Sequence, residues 1–200
     1  MLNLKFKKIC TAALSAIMLL NVPVYAETLN IVEAEGNVDQ KFVDEANELI
    51  NQVPEDVLQG FVDNGWKIYI TDKNIAQTYF AGEFNSVKGV TDWDTHIIRI
   101  EDRPEAVETA TVHEFGHYLD AIKGYVSHTP EFKQIYSEEG KTFADTFKVD
   151  FYYDNQEFFA DGIYRYFSVE KDMLEENCPK LYNAICETLQ APDITEFSDH

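Results

Sequence analysis

The sequence predicts an α+β domain: a small early sheet, then a mostly helical second half. Three observations point there. Residues 67–71 alternate apolar with polar side chains, as a strand with one buried face does, and residues 96–100 read as a second strand. Segments with helical spacing outnumber them, above all beyond residue 102. The 200 residues suit one domain with a real hydrophobic core and hardly two. No repeat, low-complexity tract or linker interrupts the chain.

Residues 1–26 read as a secretory signal peptide. Lys5, Lys7 and Lys8 form a basic start, residues 9–20 an apolar run, and Val24-Tyr25-Ala26 places small residues where a signal peptidase cuts. The run is too short to span a bilayer and breaks at Asn21 and Pro23, so stable membrane association is not expected. Residues 27–200 are expected to form one secreted, extracellular, monomeric domain.

The elements of that domain follow in order. Residues 29–32 form a short strand. Residues 40–53 carry Phe42, Ala46, Leu49 and Ile50 at helical spacing. Pro54-Glu55 opens a second helix ending near Gly65. Residues 67–71 are a strand and 74–80 a short helix. Residues 82–94 are polar and contain glycine, so they read as a loop before the strand at 96–100. Asp102-Arg103-Pro104-Glu105 combines a capping aspartate, an early proline and a first-turn acid. The helix it starts runs to about Ala121 and stops at Gly124. Thr129-Pro130-Glu131 starts another that ends near Gly140. Helices at 157–167 and 179–189 complete the chain.

The net charge is −20, and losing a leader with three lysines and no acids makes it more negative. Such a chain repels nucleic acid and anionic membranes. The charge forms no block and serves mainly as a solvated surface. Beyond the leader only Cys178 and Cys186 remain. Eight residues apart on one helix, they stand about 12 Å apart by helical rise, so two free, partly buried thiols are expected.

One pentapeptide carries chemistry: His113-Glu114-Phe115-Gly116-His117, an HExxH motif inside an expected helix. Histidines four apart share a helix face and can bind one tetrahedral zinc ion (Zn2+), while Glu114 holds a water beside it. A catalytic zinc needs a third protein ligand and an open position. The longer HExxHxxGxxH pattern fails, because Asp120 and Lys123 stand where it needs glycine and histidine. His96, His128 and His200 lack a matching context and read as surface or satisfied histidines. A carboxylate is therefore expected. Glu157 and Asp161 share a helix face, so one can bind metal while the other hydrogen-bonds a ligand histidine. The residues alone leave other readings open. Glu131, Glu138 and Glu139 compete, and 157–161 can be an ordinary helix face with Phe158 and Phe159 in the core.

From residue 67 to 189 the chain resembles the catalytic domain of anthrax lethal factor and the secreted Pro-Pro endopeptidases related to it. The resemblance is carried by His113-Glu114-Phe115-Gly116-His117 with Asp120, and by Glu131-Phe132-Lys133-Gln134-Ile135 with Glu138-Glu139-Gly140. It continues through Glu157-Phe158-Phe159-Ala160 and Cys178-Pro179-Lys180-Leu181-Tyr182. It implies a zincin-like fold and places the third zinc ligand on Glu157. Two positions depart from the family pattern. Asp161 stands where the family usually has glutamate, and is expected beside a ligand histidine. The family also has a tyrosine seven residues before the ligand glutamate, where this chain has Asp150; Tyr152 and Tyr153 are the nearby candidates for an oxyanion donor.

The implied activity is zinc-dependent endopeptidase action on extended peptide or protein substrates, with proline near the scissile bond as a family trait. Glu114 would act as general base. In such folds the strand before the active-site helix borders the cleft, which makes Ile98 and the neighbouring Trp93 substrate-binding candidates. A core-closing role suits Trp93 equally. The rival readings are a secreted binding or adhesion module that retains metal for stability, and an aminopeptidase. A purely structural metal site has no need of Glu114.

Overall fold

The computed structural model describes residues 29–82, 87–149 and 154–194. Alternation in the strands sets its layers. Four strands, β1 (Val32–Glu35), β2 (Lys67–Thr71), β3 (Gly89–Asp92) and β4 (Ile97–Glu101), form one sheet in the order β1-β2-β4-β3. The first, second and fourth run parallel, and β3 lies antiparallel at one edge. Ile68 and Ile70 stand opposite Ile98 and Ile100, and all four are fully buried. That face packs against α1 (Gln40–Ile50) and α4 (Pro104–Ile122). On the other face Arg99 pairs with Glu35 at 3.2 Å and Asp92 at 3.5 Å, and lies over the Tyr79 ring of α3 (Ile75–Tyr79). One face is apolar and the other a polar network, as the alternation requires.

α2 (Glu55–Asp63) delivers Phe61 into an aromatic cluster with Trp66, Phe115 and Tyr118, at ring separations of 4.8–5.9 Å. The second half is helical: α5 (Pro130–Phe147), α6 (Asn155–Tyr166), α7 (Lys171–Asn177) and α8 (Pro179–Gln190). The fold is thus α+β, mostly helical with a small mixed sheet. Among the described residues, no helix is long and apolar enough to cross a membrane.

Several boundaries differ from the sequence expectation. The first strand begins at Val32, where pairing with Ile68 starts. The expected loop at 82–94 contains β3. Four residues with a partner on one side leave little local signal, and pairing to Ile97–Ile100 makes the strand. α4 begins at Pro104 with Arg103 at its cap and no capping side chain, so Asp102 does not cap it. α5 continues past Gly140 because Phe143 and Phe147 extend its buried stripe. It stops only at Lys148, which adopts a left-handed conformation. α7 went unrecognised as an element.

Candidate metal centre

The site begins with a close helix crossing. Gly116 of α4 faces Ala160 of α6, and a Cβ on Gly116 would lie 2.8 Å from the Ala160 Cα. Mid-helix glycine costs about 1 kcal/mol relative to alanine, so its presence here reflects the contact. The helices run antiparallel past that point. His113 therefore lies beside Asp161 and Glu157, and His117 beside Glu157. Asp154 caps α6 by accepting from the Gln156 N–H at 2.7 Å. Glu157 consequently sits in the first turn, where the helix dipole favours an anion.

His113 Nε2 is 3.2 Å from one Glu157 oxygen, and His117 Nε2 is 3.5 Å from the other. Ligands 2.0–2.2 Å from a tetrahedral zinc stand about 3.3–3.6 Å from each other. The two contacts use different carboxylate oxygens, and together they bring the three groups within reach of one ion. Among the described residues this is the one such group of three, with donor atoms all within 4.8 Å. Two imidazole nitrogens and a carboxylate oxygen suit zinc and leave a fourth position. The His113 Nδ1–H donates to Asp161 Oδ1 at 3.0 Å, which turns Nε2 towards the centre. Burial opposes charge on His113, but its hydrogen bonds to Asp161 and Glu157 outweigh that and push the imidazole up to about 10. Burial likewise opposes ionisation of Glu157, yet the two histidines hold its carboxyl well below the usual range. Glu157 is therefore an anion, the form in which a carboxylate could hold a metal.

Glu114 projects from the same helix towards β3. Its Oε2 accepts a hydrogen bond from the Thr91 hydroxyl at 2.8 Å. Gly89, two residues earlier on the same face, leaves room: a Cβ there would lie 2.7 Å from the Glu114 Cγ and 2.9 Å from Oε1. The strand that went unrecognised in the sequence thus contacts the carboxylate at two points.

The family described as "Anthrax toxin lethal factor, N- and C-terminal domain" matches residues 19–188. The chain belongs to this family. A similar solved structure is that of the Pro-Pro endopeptidase PPEP-2 from Paenibacillus alvei, at 18% identity and a TM-score of 0.61. The likeness covers 78% of this chain and 96% of that one, and at this identity it shows the fold. No curated protein sequence matches the chain significantly.

In this lethal factor family member the three side chains open onto a cleft of about 1120 Å³. Trp93, Tyr125, His128 and Tyr164 also line it. Trp93 packs edge-on against Trp66 at 5.0 Å, as a core-closing residue does, and it also borders the cleft. Ile98 does not border it. It is fully buried on β4, between β2 and β3, so the strand edge at the cleft is β3. His96 stacks on Trp66 at 5.0 Å, away from the centre, and His128 stacks on Tyr125 at 5.4 Å. Tyr152, Tyr153 and His200 lie outside the described residues.

Among the described residues, none of the competing acids joins the group of His113, His117 and Glu157. Glu139 is buried and accepts from the N–H groups of Lys180 and Leu181 at 3.0 and 2.9 Å, capping the start of α8. Glu138 pairs with Lys180. Glu131 is exposed in the first turn of α5. Cys178 and Cys186 are free thiols.

Proposed function

We propose that the chain is a zinc-dependent endopeptidase with a zincin-like catalytic domain. The observation that carries this reading is the convergence of His113, His117 and Glu157, with donor atoms all within 4.8 Å, and Glu114 on the same cleft. His113, His117 and Glu157 would hold the ion, and Asp161 would orient His113. Bound there, zinc lowers the pKa of a water and polarises a carbonyl. Glu114 would take a proton from the attacking water and later pass it to the leaving amine.

Among the described residues, the outer side of β3 is the sheet edge at the cleft, and it suits an extended substrate that adds a strand. The backbone pairing would be independent of side chain, so specificity falls to the walls, Trp93 among them. PPEP-2 is named a Pro-Pro endopeptidase, and a preference for proline near the scissile bond belongs to this proposal. So do an oxyanion donor at Tyr152 or Tyr153, secretion through residues 1–26, and a monomeric mature chain starting at Glu27. Phenylalanine variants at 152 and 153, and N-terminal sequencing of secreted protein, check these parts.

The direct experiment is cleavage of a peptide library by zinc-loaded protein, read by mass spectrometry, with and without a chelator. Internal cleavage that stops with chelation and returns with zinc is expected. No cleavage of any peptide would overturn the proposal, and loss of only N-terminal residues would point to an aminopeptidase.

A further inference from the structure

We infer that Thr91, on the edge strand, is a positioning residue for the base Glu114. The inference deepens the peptidase reading and rests on it. Glu114 is nearly buried, and its carboxylate lies between α4 and β3. A free carboxylate there could rotate about its terminal bonds, and each unproductive rotamer lowers the fraction of molecules able to take a proton. Two features of β3 restrict it. The Thr91 Oγ1–H donates to Oε2 at 2.8 Å, an orienting bond to a charged acceptor. The same hydroxyl lies 3.1 Å from the Glu114 carbonyl oxygen, a second and more distant acceptor for its one proton. Gly89 closes the other side, since its bare Cα leaves just the space that Glu114 Cγ and Oε1 fill. The threonine thus fixes the carboxylate through Oε2, and the carboxylate so held accepts the proton. In the chemical step a water O–H bond breaks and a carboxyl O–H bond forms, while the water oxygen bonds to the peptide carbon and the carbonyl π pair moves onto its oxygen. The carbonyl then re-forms as the C–N bond breaks, and the carboxyl proton goes to the leaving amine.

Threonine is common in strands for its β-branched shape alone, so the test must separate shape from hydroxyl. Thr91→Val keeps the shape and removes the donor, and Thr91→Ser does the reverse. With valine, kcat is expected to fall about 10- to 100-fold, with KM within about twofold and one zinc per chain retained. With serine, kcat should return to within about threefold of the parent. In a Glu114→Gln background the valine should cause no further loss, because the residue it positions is gone. Gly89→Ala offers an independent variant. Its Cβ meets the flexible Glu114 side chain and the tip of Ile100, so it should lower kcat with little loss of thermal stability.

Three results would overturn the inference while leaving the peptidase reading intact: a valine variant within twofold of the parent kcat, valine and serine variants equally impaired, or an undiminished valine effect in the Glu114→Gln background. A Glu114→Gln variant as active as the parent would remove the base and Thr91's role with it. A parent protein that cleaves no peptide would remove both readings.

Discussion

Replacing Gly116 with alanine tests how the centre is assembled. The new Cβ would lie 2.8 Å from the Ala160 Cα, 3.1 Å from its carbonyl oxygen and 3.2 Å from its Cβ. Non-bonded carbons are at ease at about 3.5–4.0 Å. The obstacle is backbone, so no side chain can rotate away, and α4 and α6 must part by roughly 0.7 Å. Two terms compete. Alanine gains about 1 kcal/mol in helix propensity, and overpacking costs about 1–3 kcal/mol. The net loss is about 0–2 kcal/mol, or up to about 8 °C in Tm for a chain of this size. Metal binding should suffer more than stability. Asp161 lies 3.0 Å from His113, and Glu157 lies 3.2 and 3.5 Å from the two histidines, all across the widened gap. Opening it by roughly 0.7 Å takes the Asp161 bond past the hydrogen-bond limit, and zinc affinity should fall about 10- to 100-fold. Competition with a chelating dye measures the affinity, and thermal unfolding with and without chelator measures the stability. Zinc affinity within threefold of the parent would refute this account of the crossing.

Other expectations follow from the same geometry. Asp161→Ala should lower zinc affinity about 10- to 100-fold by freeing the His113 ring, and Glu157→Ala should lower it further; the same dye competition ranks the two, and the reverse order would contradict the assigned roles. Glu139→Ala removes the acceptor for two N–H groups at the start of α8. It should cost about 2 kcal/mol, read as a drop of about 4–8 °C in Tm, with zinc affinity unchanged. Cys178 is fully buried, and burial, aided by the charge of Glu139, pushes its thiol up to about 12. An alkylating reagent at pH 8 should therefore modify Cys186 in the native protein and Cys178 only after unfolding, as peptide mapping would report.

How much of this was legible depended on how local each feature is. His113 and His117 are one helical turn apart, so spacing alone puts them on one face. Glu157 lies 40 residues beyond His117, and the residues left Glu131, Glu138 and Glu139 open until the family resemblance pointed to it. What brings Glu157 in is the contact of Gly116 with Ala160, two small residues whose pairing across helices leaves no periodic mark. β2 was legible because both its alternation and its length are typical of a strand. β3 was not, since it is a four-residue edge strand defined by its partner. That omission moved the cleft border onto Ile98, and it concealed Gly89 and Thr91 beside Glu114. Gly140 suggested a helix end by local propensity, and the packing of Phe143 and Phe147 overrode it.

The central claim is that Glu114 acts on water beside a zinc ion held by other residues. Zinc content and turnover of Glu114→Gln, measured on one preparation, test it most directly. The account predicts one zinc per chain, as in the parent, and turnover lower by about a hundredfold or more. A zinc-loaded variant that turns over as fast as the parent would contradict it.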